Sequence, residues 1–263
     1  VKKLRDATGA GMMDAKKALT EADGDFDAAV EILRVSGAAK MAKRSDREAS
    51  NGLVAASGKT VIQLGAETDF VAKNAEFMAL ADEIAKAVDA AGAHGVEAAS
   101  AVTLASGQTV IDAVNELSAK IGEKLELAAA ATFDGPVVIY LHKRSQDLPP
   151  QVGVMVEHDG GDETFVKGIA MQIAAMSPAY VTRDEVPEDV LANERKIAEL
   201  TAKEEGKPEQ IIPRIVEGRL GGFYKEVCLI EQPSVSDDKL TVGQLLKNNG
   251  VEVKRFVRFA AGA

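Results

Sequence analysis

Apolar residues recur at three- and four-residue spacing from Phe77 through Leu80, Ala81, Ile84 and Val88. That is the period of a helix with one buried face. Asn74 stands ahead of the run as an N-cap, and Glu76 places negative charge in the first turn, where it suits the helix dipole. Upstream, two short apolar runs at 53–56 and 60–64 flank Ser57, Gly58 and Lys59, a hairpin pattern. A strand therefore ends near Gly65 and a helix begins near Asn74. The link between them reads Thr68-Asp69-Phe70-Val71-Ala72-Lys73-Asn74. Phe70 lies seven residues before Phe77, so spacing alone lets it join the core stripe if the helix starts early.

The same patterns divide the rest of the chain. Residues 2–6, 12–22 and a third run after Asp25 are helical, broken at Thr8-Gly9-Ala10-Gly11 and Asp23-Gly24-Asp25. The third run carries Phe26, Ala29, Val30 and Leu33 and is expected to end at Gly37. Residues 1–37 thus have the size of a ubiquitin-associated-like three-helix module, whose small core needs outside support. Residues 38–51 are polar, small and locally basic, a linker with a helical start.

A first core subdomain spans 52–135. It holds the hairpin, the helix from Asn74 to about 91, a glycine-containing loop at 91–103, a helix at 110–122 and a strand at 125–133. A second spans 136–186 and 223–263. Its strands are expected at 137–141, 152–156, 225–230 and 251–259, with a helix carrying Ile169, Ile173 and Met176 and a short helix carrying Val242, Leu245 and Leu246. Residues 187–222 read as an inserted helical hairpin. Its expected seams are Val190, Leu191, Ile197 and Leu200 on one arm, and Ile211, Ile212, Ile215 and Val216 on the other. Residues 63–73 are echoed by 156–167, matching Phe70-Val71 to Phe165-Val166, and 119–125 by 214–220. The fold class is α+β: two related subdomains, each a small antiparallel sheet covered by helices.

Composition narrows the function. The chain has 263 residues and a formal net charge of -10, which argues against a general nucleic-acid binder. One cysteine, Cys228, cannot form an internal disulfide and reads as a small buried hydrophobe in a reducing, cytoplasmic setting. No run approaches the roughly 18 apolar residues of a membrane helix. No signal peptide is visible, and because the sequence starts at Val1, a few natural residues are expected to precede it.

Catalytic patterns are missing. Gly58-Lys59-Thr60 imitates the end of a P-loop, but Gly52 is one residue too far away and a strand follows where a helix is needed. Gly9-Ala10-Gly11 lacks the preceding strand of a dinucleotide site. His94, His142 and His158 are scattered without metal-ligand spacing. The expectation is a protein that is not an enzyme and holds no metal or cofactor.

The string TDFVAKN resembles the signature of the bacterial elongation factor Ts family. The likeness extends to VKKLRDATGAGMMDAKKAL at the start, residues 136–142, Val216-Glu217-Gly218-Arg219, and TVGQLL with RFVRF at the end. The resemblance implies guanine-nucleotide exchange on elongation factor Tu during translation, with GDP release driven by disturbance of the partner's Mg²⁺ and phosphate site. It implies that Asp69 and Phe70 insert there, with Thr68 and Val71 as partner-binding residues beside them; the adjoining carboxylate is expected to steady the ring. It further implies partner contacts at Lys2, Arg5, Met12, Met13 and Lys16, and at His142. For Met12 and Met13 the helix core remains open as an alternative. The loop after His142 is longer than the glycine-rich turn of many members. The hairpin matches a dimerisation element whose use varies in the family, so a homodimer is an expectation. Two other readings stand beside exchange: an adaptor acting through residues 1–37, and a phosphate-binding enzyme using Lys59.

Overall fold

The computed structural model describes residues 1–262; residue 263, the last position of the expected carboxy-terminal segment, lies outside the described residues. The chain divides into two compact units. One comprises Val1–Asp134, Leu141–Gly153 and the residues from Phe259 on; the other comprises Gly135–Tyr140 and Val154–Arg258.

Three helices open the first unit: α1 (Lys2–Thr8), α2 (Met12–Glu21) and α3 (Phe26–Arg44). Leu4, Ala15, Ala18 and Ala29 are buried where they meet, with Phe26, Val30 and Leu33 packed around them. The Asp25 carboxylate caps α3 by accepting the N–H of Asp27 at 3.0 Å and of Ala28 at 3.2 Å. The third helix does not end at Gly37. An interior glycine costs about 1 kcal/mol relative to alanine. The alanine, lysine, methionine and arginine residues that follow favour the helix and carry it to Arg44. There the Arg44 guanidinium donates to the Ser118 carbonyl at 3.2 Å.

Next comes an antiparallel sheet, β1 (Asn51–Ser57), β2 (Thr60–Ala66) and β3 (Glu126–Thr132), in that order. Ser57 pairs with Thr60, so Gly58 and Lys59 form a two-residue turn. Gly58 has φ +56°, the left-handed backbone that such a turn demands. A one-turn helix, α4 (Asp69–Ala72), leads from β2 to α5 (Ala75–Ala91). The expected loop at 91–103 contains another short helix, α6 (Val96–Ser100), because a glutamate and two alanines between Gly95 and Ser100 are good helix formers. α7 (Val110–Ile121) completes the layer. Phe77, Leu80, Ile84 and Val88 of α5 and Val110, Val114 and Leu117 of α7 pack on Leu53, Ile62, Leu64 and Leu127 of the sheet.

The second sheet is ordered β4 (Val137–His142), β5 (Val152–Asp159) and β6 (Glu252–Ala260). In the second unit, α8 (Glu163–Met176) and α11 (Val242–Asn248) cover it. Val154, Val156, Val166, Ile169, Ile173, Val242, Leu246, Val251 and Val253 form the core. The fold class is α+β, with two small antiparallel three-stranded sheets.

α9 (Glu188–Glu204) and α10 (Ile212–Val227) form the helical hairpin. Three local expectations fail here. On α9 the buried seam is Ala198 and Ala202, which meet Ile212, Val216 and Leu220, whereas Ile197 and Leu200 are 50% and 55% exposed. The small side chains let the two backbones approach, and the larger ones turn outward. Residues 225–230 do not form a strand. Val216, Leu220 and Tyr224 prolong the four-residue stripe, so α10 runs to Val227; Cys228 makes one isolated parallel bridge to Tyr180. β6 supplies the third strand instead. Lastly, the echo of 119–125 in 214–220 is not structural. Gly122 ends α7 at φ +87°, while Gly218 sits inside α10.

Candidate functional site

α4 is four residues long and is held at both ends. Thr68 has extended backbone, and its hydroxyl accepts the N–H of Val71 at 3.4 Å. Asn74 caps α5 by accepting the N–H of Glu76 at 2.9 Å and of Phe77 at 3.2 Å. Two caps within seven residues fix the chain direction twice. Val71 and Ala72 point into the core. Asp69 and Phe70 point out, and Phe70 is 73% exposed. A helix turns about 100° per residue, so neighbours in a single turn must diverge. The Lys73 ammonium lies 5.2 Å from the centre of the Phe70 ring, a cation–π distance.

The link before α4 is clasped by a residue that sequence reading did not single out. Glu123 Oε1 accepts the N–H of Glu67 at 3.1 Å and of Thr68 at 3.0 Å; Oε2 accepts the Thr68 hydroxyl at 2.8 Å. In return, Glu67 Oε2 accepts the N–H of Lys124 at 2.8 Å and lies 3.5 Å from the Arg47 guanidinium. Asn51 donates to the Glu67 carbonyl at 2.9 Å. Glu123 is itself placed by the left-handed Gly122 and by the Ser118 hydroxyl, which donates to the Glu123 carbonyl at 2.6 Å. Hydrogen bonds to a charged group contribute about 1.5–3 kcal/mol each. Glu123 thus adds a carboxylate that grips the backbone of the aromatic link, beside the exposed Asp69 that adjoins the ring. The only sequence hint was a glycine-glutamate pair closing a helix. The partner lies 55 residues away, a pairing that a one-dimensional period cannot reveal.

Comparing the two subdomains from their caps shifts the expected echo by one position. Thr68 caps Val71, three residues on; Asp162 caps Phe165, three residues on, at 2.8 Å. Phe165 packs on its own core, as Val71 does. Phe70 instead corresponds to the exposed Thr164. The aromatic that belongs to the fold and the aromatic on display occupy different positions.

The remaining expected positions lie in the same compact unit as Phe70. Lys2, Arg5 and Lys16 are exposed on α1 and α2. Met12 and Met13 are 59% and 78% exposed and do not belong to the helix core. His142, at the end of β4, is exposed; its carbonyl accepts the Gln151 N–H at 3.0 Å. The residues on either side of it, Leu141 and Lys143, line a cleft of about 430 Å³ shared with Lys73, Met78 and the 146–150 loop.

The geometry around Lys59 opposes the phosphate-binding alternative. Asp89 Oδ1 accepts the Lys59 N–H at 3.0 Å and lies 3.3 Å from the Thr60 hydroxyl, while the Lys59 ammonium donates to the Asp134 carbonyl at 2.7 Å. An internal carboxylate occupies the turn N–H and the neighbouring hydroxyl, and a backbone carbonyl draws the ammonium aside. Cys228 is fully buried, and desolvation pushes its thiol up to about 11, so it stays protonated and unreactive. Among the described residues, no group of three His, Cys, Asp or Glu side chains is arranged to hold a metal ion, and no helix is long and apolar enough to cross a membrane.

Comparison with known proteins gives one consistent answer. The family described as Elongation factor TS matches residues 67–263. Elongation factor Ts of Cutibacterium acnes is 69% identical over 262 residues, covering all of this chain and 97% of that protein. Elongation factor Ts of Mycolicibacterium smegmatis is 58% identical over 267 residues, covering all of this chain and 96% of that protein. That of Saccharopolyspora erythraea is 57% identical over 262 residues, with the same coverage.

Proposed function

We propose a function from the premise that this chain belongs to the elongation factor Ts family: it is a guanine-nucleotide exchange factor for elongation factor Tu and promotes GDP release during translation elongation. The observation that carries the reading is the Phe70 ring, 73% exposed on a one-turn helix capped at both ends.

Exchange needs no bond made or broken on this chain. It needs negative coupling: the factor weakens the partner's grip on nucleotide, and nucleotide weakens the grip on the factor by the same amount. A GTPase holds its nucleotide through phosphate-binding backbone and Mg²⁺, and Mg²⁺ tolerates little departure from octahedral geometry. In this reading Phe70 and Asp69 enter beside that ion, and Thr68 and Val71 fix how they enter. Lys2, Arg5, Met12, Met13 and Lys16 dock the three-helix module (1–37) on the partner, and His142 adds a contact from the core. The hairpin 187–222, with Ile197 and Leu200 outward, is the element through which two copies would pair.

The test is stopped-flow release of fluorescent GDP from the cognate elongation factor Tu. Faster release on adding this protein is expected, and its loss in Phe70→Ala. A rate unchanged by the wild-type protein would overturn the function. Full exchange activity in Phe70→Ala would overturn the mechanism.

A further inference from the structure

We propose that Glu123 is a positioning residue for nucleotide exchange: by holding the Glu67–Thr68 backbone it sets the direction in which Phe70 leaves the surface. The inference rests on the exchange reading above and goes beyond it, because Glu123 lies outside the TDFVAKN string and acts through Glu67 and Thr68.

Three observations carry it. One carboxylate receives three donors from two successive residues, at 3.1, 3.0 and 2.8 Å. The third donor is the hydroxyl of Thr68, the same oxygen that caps α4 by accepting the Val71 N–H. A hydroxyl that donates to a carboxylate has its lone pairs turned toward that N–H, so Glu123 orients the cap as well as the loop. The clasp is also reciprocal, because Glu67 accepts the Lys124 N–H. The link from β2 and the link into β3 therefore cannot shift independently. α4 spans one turn and has no intrinsic stability in isolation. Its orientation comes from this clasp and from Val71 and Ala72 beneath it. A ring that must meet a partner's ion site within a fraction of an ångström needs such support, since misplacement by about 1 Å can cost about a hundredfold in rate.

The experiment measures GDP release from elongation factor Tu over a range of factor concentrations, giving a saturating rate and a half-saturation point for the full-length protein and its variants. Glu123→Ala is expected to lower the saturating rate about tenfold or more, while binding to nucleotide-free partner changes less than about threefold. In a Phe70→Ala background the same change is expected to add little, because the two residues act as one unit. A merely structural role would lower the melting temperature and the active fraction without this non-additivity. If Glu123→Ala fails to fold, Thr68→Val carries the test. It removes both the hydroxyl's bond to Glu123 and its cap on the Val71 N–H but leaves both backbone donors on Glu123, so it is read beside Glu123→Gln, which keeps the Thr68 hydroxyl and neutralises only the carboxylate; each should lower the saturating rate about threefold. Natively melting variants with wild-type saturating rates would overturn the proposal, as would a full tenfold loss from Glu123→Ala in the Phe70→Ala background. If Phe70→Ala alone exchanges at the wild-type rate, the wedge reading fails and this inference falls with it. If Phe70→Ala is slow and Glu123→Ala is not, only this inference falls.

Discussion

Phe70 and Phe77 are seven residues apart and meet opposite fates: Phe70 is 73% exposed and Phe77 is 0% exposed. The break at Lys73-Asn74 separates α4 from α5 and rotates one aromatic away from the stripe that buries the other. Truncation should separate them cleanly. Phe77→Ala should cost about 3–5 kcal/mol of folding stability. Phe70→Ala should stay within about 0.5 kcal/mol of wild type. Urea denaturation of both variants measures this, and equal losses would show that Phe70 is packed in solution.

The Asn74 cap serves α5 directly and α4 by ending it. Asn74→Ala should destabilise by about 1 kcal/mol, and Asn74→Ser should recover most of the loss. Hydrogen exchange should report faster opening at Glu76 and Phe77, whose N–H groups donate to the Asn74 side-chain Oδ1. Unchanged protection there would mean the cap is not formed.

In the hairpin, the corrected seam predicts an asymmetry. Ala202→Leu, at a fully buried position, should cost about 1–3 kcal/mol through overpacking. Leu200→Lys, at a position 55% exposed, should cost less than about 0.5 kcal/mol. Thermal melts of the two variants decide; the reverse order would restore Leu200 to the seam.

Cys228 gives a pH signature of known sign. Burial raises the folded thiol from 9.0 to about 11, so the folded state holds its proton more tightly than the unfolded state does. The stabilisation is fully present below pH 9 and is lost as pH rises toward about 11. The melting temperature should fall more steeply across that window in wild type than in Cys228→Ala. Native protein should also react slowly with a thiol reagent at pH 8 and quickly once unfolded. Parallel melting curves for the two proteins would contradict this.

With Asp89 seated on the Lys59 turn, the isolated protein should bind neither labelled GTP nor labelled ATP in equilibrium dialysis. Saturable binding that is lost in Lys59→Ala would revive the phosphate reading.

The sequence by itself determined what local period and turn chemistry can encode: the Gly58-Lys59 hairpin, the α5 and α7 stripes, the Asn74 cap, the α+β class, and a motif string whose family resemblance the relatives bear out. Each of these depends on residues within a few positions of one another, where backbone geometry fixes which side chains share a face. Other outcomes belonged to the tertiary structure. Gly37 stayed helical, the α9 seam moved onto its alanines, and 225–227 joined a helix instead of a strand. The last two were settled by what packs alongside, which outweighs differences in propensity of a few tenths of a kcal/mol per residue, and the first by the good helix formers that follow Gly37. Glu123 is the clearest case. Its carboxylate meets Thr68 across 55 residues of chain, and only the closure of β2 against β3 brings the two together.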